Sequence, residues 1–111
     1  MITQDDAEKA VDWLRNNAAR MAQERAERLY MEQWIKTVKA TLMNDNAAAP
    51  SMAAADMQAL ASPKYLAALQ AFKEAVQKDE YNRFMLSAAE AKIEAWRSQE
   101  STRRAEGRAT T

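Results

Sequence analysis

Glu24 and Glu27 stand three residues apart, and Glu90 and Glu94 four apart. On a helix, residues at those spacings are surface neighbours. Each pair could therefore aim two carboxylates at one point, and an octahedral Mg²⁺ takes such oxygens. A Mg²⁺-dependent nucleotide hydrolase using Glu24 and Glu27 is the enzyme this chain would make. The surroundings favour a plainer role. Arg20, Arg25 and Arg28 interleave with the two carboxylates, which is the pattern of a salt-bridged, solvated face. The chain has no histidine and no cysteine, so His/Cys zinc sites and a Ser-His-Asp triad are excluded. Its single glycine, Gly107, cannot make a glycine-rich phosphate loop. Lys92 falls inside an otherwise apolar arc. A buried lysine can be catalytic, but more commonly the stem packs and the ammonium reaches water or a carboxylate. The expectation is no catalytic residue, no metal site and no cofactor.

The elements that carry these residues follow from composition. One Gly, two Pro, few β-branched residues and abundant Ala, Glu, Gln, Arg, Lys, Met and Leu make an all-α chain. Thr3 with Asp6 reads as an acidic capping box, and Asp5 adds charge where the helix dipole favours it. No Gly or Pro follows until Pro50, which predicts one helix over about 4–43, roughly 60 Å long. The run NDNAAAP at 44–50 is a stop, because Asn and Asp tolerate turns and proline disfavours a helical residue before it. Ser51 caps a short Ala/Met helix at about 52–61. Ser62 and Pro63 fit the N-cap and first helical position of a second long helix, about 63–100. The ending 101–111 lacks apolar periodicity and reads as a flexible polar tail. The prediction is one helical domain over 1–100, a helical hairpin of two long antiparallel helices with a short connecting helix.

Counted at 100° per residue, the apolar face moves along both long helices. Val11, Leu14, Ala18, Met21, Ala22 and Leu29 share one face of the first; Met31, Trp34, Ile35, Val38 and Leu42 lie nearly opposite. In the second, Tyr65, Leu69, Phe72 and Val76 give way to Tyr81, Phe84, Met85, Ala88, Ala95 and Trp96. These switches, near 30 and 77–80, fall at the same level of a hairpin and predict two storeys. The stretch FMLSAAEAKIEAW (84–96) carries an apolar arc about twice the usual width of a little over 100°. One neighbouring helix cannot hide it. An alanine-rich core also buries little area per residue, so a chain this short gains from assembly. The candidate oligomer or partner interface is Trp13, Tyr81, Phe84, Met85, Ala88, Ile93 and Trp96, with a homo-oligomer, a dimer first, as the expected state. The other reading is a small monomeric bundle that wraps its own core.

Sixteen basic residues balance sixteen acidic ones, which argues against a dedicated electrostatic DNA binder. The nucleic-acid reading rests on Arg97, Arg103, Arg104 and Arg108 near Trp96, with Glu100 and Glu106 interspersed. The competing reading is a solvated helix end whose arginines complement the dipole. No run of 18 apolar residues occurs, and the acidic N-terminus lacks a signal peptide's basic and apolar regions. The expected location is cytoplasmic, with no membrane contact.

The run YNRFMLSAAEAKIEAWRSQESTRRAEGRA resembles the ending of small helical hypothetical proteins of tailed bacteriophages. DDAEKAVDWL and RAERLYMEQWIKTVKATLM, ahead of an Ala-rich spacer, resemble their N-terminal half. The resemblance covers most of the chain and carries no catalytic motif. It implies a gene in an early region beside recombination and replication functions, and an accessory role in DNA metabolism in the host cytoplasm. The expected function is therefore a non-enzymatic protein–protein interaction module. Direct nucleic-acid binding through the arginine-containing end is the alternative.

Overall fold

A computed structural model of the chain describes residues 1–110. Three helices follow in order: α1 (Gln4–Asp45), α2 (Met52–Leu60) and α3 (Pro63–Thr110), with no strand among the described residues. The two long helices pack against one another as a helical hairpin. Their starts follow from their caps. Thr3 Oγ1 accepts from Asp6 N at 3.0 Å, and Asp6 Oδ2 accepts from Thr3 N at 2.9 Å. That is the reciprocal capping box, and it holds the Asp6 carboxyl below the usual carboxylate range. The Thr3 backbone N–H is the main cause and the Thr3 hydroxyl the next; Lys92 and Lys9 add to it. Ser51 Oγ caps α2 through Ala54 N at 3.1 Å. Pro63 opens α3, where its missing N–H costs nothing.

The chain divides into two compact units: Met1–Met21 with Tyr81–Thr111, and Ala22–Glu80. In the first, α1 turns Ala7, Ala10, Leu14, Asn17 and Met21 toward α3, whose inward row is Asn82, Leu86, Ala89, Ile93 and Trp96. All ten are buried or half-buried. In the second, Arg28, Met31, Ile35, Val38 and Leu42 of α1 and Tyr65, Ala68, Phe72, Ala75 and Asp79 of α3 are likewise buried or half-buried. Both rows advance in alternating steps of three and four residues, the heptad rule of helices that pack along a common seam. Among the described residues the buried apolar side chains are Met31 and seven alanines, five of them on these rows and two on α2, and no large side chain is fully buried.

The second unit has a third helix. α2 buries Ala55 and Ala59 and keeps Met52 and Met57 exposed. Lys39 of α1 pairs with Asp56 of α2, and Asn46 Nδ2, in the turn after α1, donates to Gln58 Oε1 of α2.

Three readings change. First, within each unit the face that packs is not the one an apolar count picks out: Val11, Leu29 and Trp34 are exposed, while Asn17 and Arg28 are half-buried. The seam also carries Asn17, Glu24, Arg28, Asp79 and Asn82, all buried or half-buried, so an apolar-only pattern loses it there. Second, α1 ends at Asp45 and α2 at Leu60, against the predicted 43 and 61. Third, α3 continues to Thr110, where a polar tail is predicted from 101; Thr111 lies outside the described residues. Arg103 pairs with Glu100 one turn back. Arg104 Nε donates to the Glu100 carbonyl at 3.4 Å and Arg108 Nε to the Arg104 carbonyl at 3.5 Å. A helix rich in Arg, Ala and Glu forms without apolar periodicity.

Candidate protein interface on the outer row of α3

The seven predicted interface residues separate into three groups, all in the first unit. Ile93 and Trp96 stand on the inward row of α3. They line a groove with Ala7 and Val11 of α1 and belong to the contact between the chain's own helices. Trp13 and Met85 are half-buried and share the groove on the other flank of the seam with Ala88, Lys92, Lys9 and Asp6. Tyr81, Phe84 and Ala88 face outward. Tyr81 is 58% and Phe84 73% exposed.

The outward residues form a row of their own. Tyr81, Phe84, Ala88, Ala91 and Ala95 advance in steps of three, four, three and four, and every one is exposed. This is a second heptad seam on the side of α3 away from α1. Residues 84–96 therefore span a wide apolar arc because they carry two seams, one filled by α1 and one open. The outward face of α1 in the same unit carries no such row. Asp5, Lys9, Asp12 and Asn16 occupy it, with Lys9 paired to Asp5 at 2.9 Å and Arg15 to Asp12 at 3.9 Å. Such exposed pairs hold the surface in water and contribute little stability. In this unit α3 therefore carries an exposed apolar row and α1 a charged, polar one.

The chain terminus fixes the end of this region. Ile2 N donates to Gln99 Oε1 at 3.3 Å, and Gln99 Nε2 returns a bond to the Ile2 carbonyl at 3.1 Å. Met1 to Gln4 then lie beside Trp96, Gln99 and Arg103. Sequence patterning missed this clamp, because a lone Gln on a polar stretch carries no signal until the N-terminus is known to reach it.

The polar positions of the seams are strongly connected. In the first unit, Arg20 Nη1 donates to Asn82 Oδ1 at 3.0 Å and Nη2 to Asn17 Oδ1 at 3.2 Å. Asn17 Nδ2 donates to the Trp13 carbonyl at 2.8 Å. Asn82 is only 3% exposed, and its Nδ2 has no partner among the described residues. In the second unit, Arg28 Nη1 donates to Asp79 Oδ2 at 3.0 Å and to Glu80 Oε1 at 2.8 Å. The two carboxylates raise the Arg28 pKa, Glu80 first. Asp79 is 5% exposed, so the pairing satisfies a buried charge. Polar side chains at single seam positions set register at some cost in stability, and these couple specific residues of α1 to specific residues of α3.

Glu24 and Glu27 line a shallow groove with Gln23, Ala71, Glu74 and Lys78. No group of three His, Cys, Asp or Glu side chains arranged to hold a metal ion occurs among the described residues. Lys92 is exposed and stands among the cations that depress the Asp6 pKa. Arg97 reaches Glu94 at 3.8 Å and Arg103 pairs with Glu100. With Arg104 and Arg108 on carbonyls one turn back, all four arginines named for nucleic-acid contact have an ion-pair or hydrogen-bond partner within α3. No described helix is long and apolar enough to cross a membrane. No family model, no curated protein and no solved structure matches the chain.

Proposed function

We propose that this protein is a non-enzymatic protein–protein interaction module, a helical hairpin that assembles as a homo-oligomer through the outer row of α3. One observation carries the reading: Tyr81, Phe84, Ala88, Ala91 and Ala95 repeat the spacing of a helix-packing seam while remaining exposed. Isolated exposed apolar residues need no explanation, but a contiguous row bounded by charge marks a contact surface. Glu80 and Glu94 flank it on one side and Lys78 and Lys92 on the other. The setting, an accessory protein in phage DNA recombination or replication, is supported by the sequence resemblance alone.

Sedimentation velocity on wild type and Phe84→Asp tests the reading, with circular dichroism as the control for folding. The expected result is an assembled wild type and a variant that dissociates with unchanged helicity. A wild type that sediments as a monomer at every concentration would contradict it. The arginine end of α3 supports the second reading, nucleic-acid binding, less well, because the guanidinium groups bond within their own helix. That reading requires DNA affinity that falls steeply with salt.

A further inference from the structure

We infer that the outer row of α3 receives the same row of a second copy, antiparallel, with the two-fold axis passing level with Ala89 and Glu90. The inference rests on the assembly reading and adds the occupant, its direction and its register. The row is graded in size. Tyr81 and Phe84 are large, and Ala88, Ala91, Ala95 and then Ser98 are small. An isologous contact must be self-complementary, and reversing one copy against the other achieves this. Phe84 meets the partner's Ala95, Tyr81 meets the partner's Ser98, and Ala88 meets the partner's Ala91. Both ends of the contact then hold an aromatic against a small residue, with the Ala88–Ala91 layers between them, so the contact is balanced about its centre. A parallel pairing stacks Tyr81 and Phe84 on themselves and follows them with three alanine layers, which no single spacing fits.

Charge selects the register. With the axis at 89–90, Glu94 lies beside the partner's Ser87 and Lys92 beside the partner's Met85. Sliding the partner by one heptad instead sets Lys78 against the partner's Lys92 and Glu80 against the partner's Glu94. Like charges directly opposed disfavour that alternative. The chain's zero net charge leaves no long-range repulsion between copies. The area also suffices. At roughly 150–250 Å² per aromatic, the exposed fractions of Tyr81 and Phe84 in two copies supply about half of the roughly 1,000 Å² that a specific interface needs. Met85, the alanines and the Trp13 side of the groove add to it.

The protein has no cysteine, so every disulfide in a variant reports a designed contact. Ala88→Cys, Ala91→Cys and Ser98→Cys are small changes at exposed positions and leave the hairpin seam untouched. Light scattering first establishes that each variant keeps the wild-type mass. Mixing the first two under a glutathione redox buffer is expected to give a heterodisulfide dimer in high yield. Ser98→Cys alone is expected to give none, since the helix rise places the two copies of residue 98 about 25 Å apart. A self-disulfide of Ser98→Cys in an assembled protein would overturn the inference by showing a parallel pairing, and would leave the assembly reading standing. An assembled protein with no disulfide at 88 or 91 would overturn it too, by placing the contact on another surface. A monomer by light scattering would remove both.

Discussion

The outward row of α3 reads Tyr81, Phe84, Ala88, Ala91, Ala95 in the first unit and Ala67, Gln70, Glu74, Gln77 in the second. The helix and the spacing are the same, and the chemistry is opposite. The second unit holds α2, with Ala55 and Ala59 buried, whereas the first holds only stretches of two helices. The second unit does expose Leu29, Tyr30, Trp34 and Leu66. Tyr30 and Trp34 stand four residues apart on one row of α1 and stack with ring centroids 6.4 Å apart, and that row continues in Thr37 and Thr41 rather than in apolar residues. Exposed apolar residues occur in both units, but only the outer row of the first repeats them at five successive packing positions, which is the basis of the proposed assembly.

Two alanines of one helix separate the hairpin seam from the outer row. Ala89 faces α1 and is 7% exposed; Ala91 is exposed on the outer row. Ala89→Glu buries an unpaired charge in the hairpin seam and should destabilise the fold by on the order of 3 kcal/mol or more. Ala91→Glu should leave the helical signal of a dilute sample unchanged and lower the assembly affinity at least tenfold. Chemical denaturation and sedimentation, run on both variants, separate the two effects. Equal loss of helicity in both would mean that the outer row is part of the monomer core.

A smaller effect sharpens the view of the polar seam positions. Asn82 is buried with an amide donor that lacks a partner, and such a donor costs about 1–3 kcal/mol. Replacing it by Leu should raise the urea midpoint, because the gain in burial exceeds the single bond lost to Arg20. It should also relax the pairing of α1 with α3, seen as broadened amide resonances near residues 17–21 and 80–86. A lowered midpoint would show that the Arg20–Asn82 bond outweighs the orphaned donor.

The smallest effects are in pH. The Asp6 pKa is depressed, so its contribution is present above the unfolded value of 3.8 and is lost as pH falls through the folded value below it. The Tm difference between wild type and Asp6→Asn should therefore shrink on acidification below about pH 4. Lys39 is raised above 10.5, chiefly by its bond to Asp56. Its contribution is present below 10.5 and is lost as pH rises through the higher folded value. The Tm advantage of wild type over Lys39→Met should survive at pH 9 and disappear in strong alkali. Reversal of either trend would contradict the assigned pairing.

Much of this fold was legible in residue chemistry. Thr3 with Asp6, Ser51, and Ser62 with Pro63 marked the starts of the three helices, because caps are local and need no tertiary information. The seam was not legible in the same way. Asn17, Arg28, Asp79 and Asn82 occupy it, and a count that rewards only apolar residues follows Leu29, Tyr81 and Phe84 instead. Ile93 and Trp96 fell in with the outer residues for a related reason. An arc of two seams looks like one broad face until α1 is laid against half of it. The helical end of α3 was missed because i,i+3 and i,i+4 bonds from arginine stabilise a helix without leaving an apolar period.

In the proposed assembly the outer row of α3 is covered in solution by another copy. Molar mass by light scattering after size exclusion, on unmodified protein over a wide concentration range, tests it most directly. A stable mass of twice 12.5 kDa, or a larger closed multiple, is the predicted result. A mass of one chain at every concentration would contradict the account and leave Tyr81 and Phe84 as exposed side chains without an assembly role.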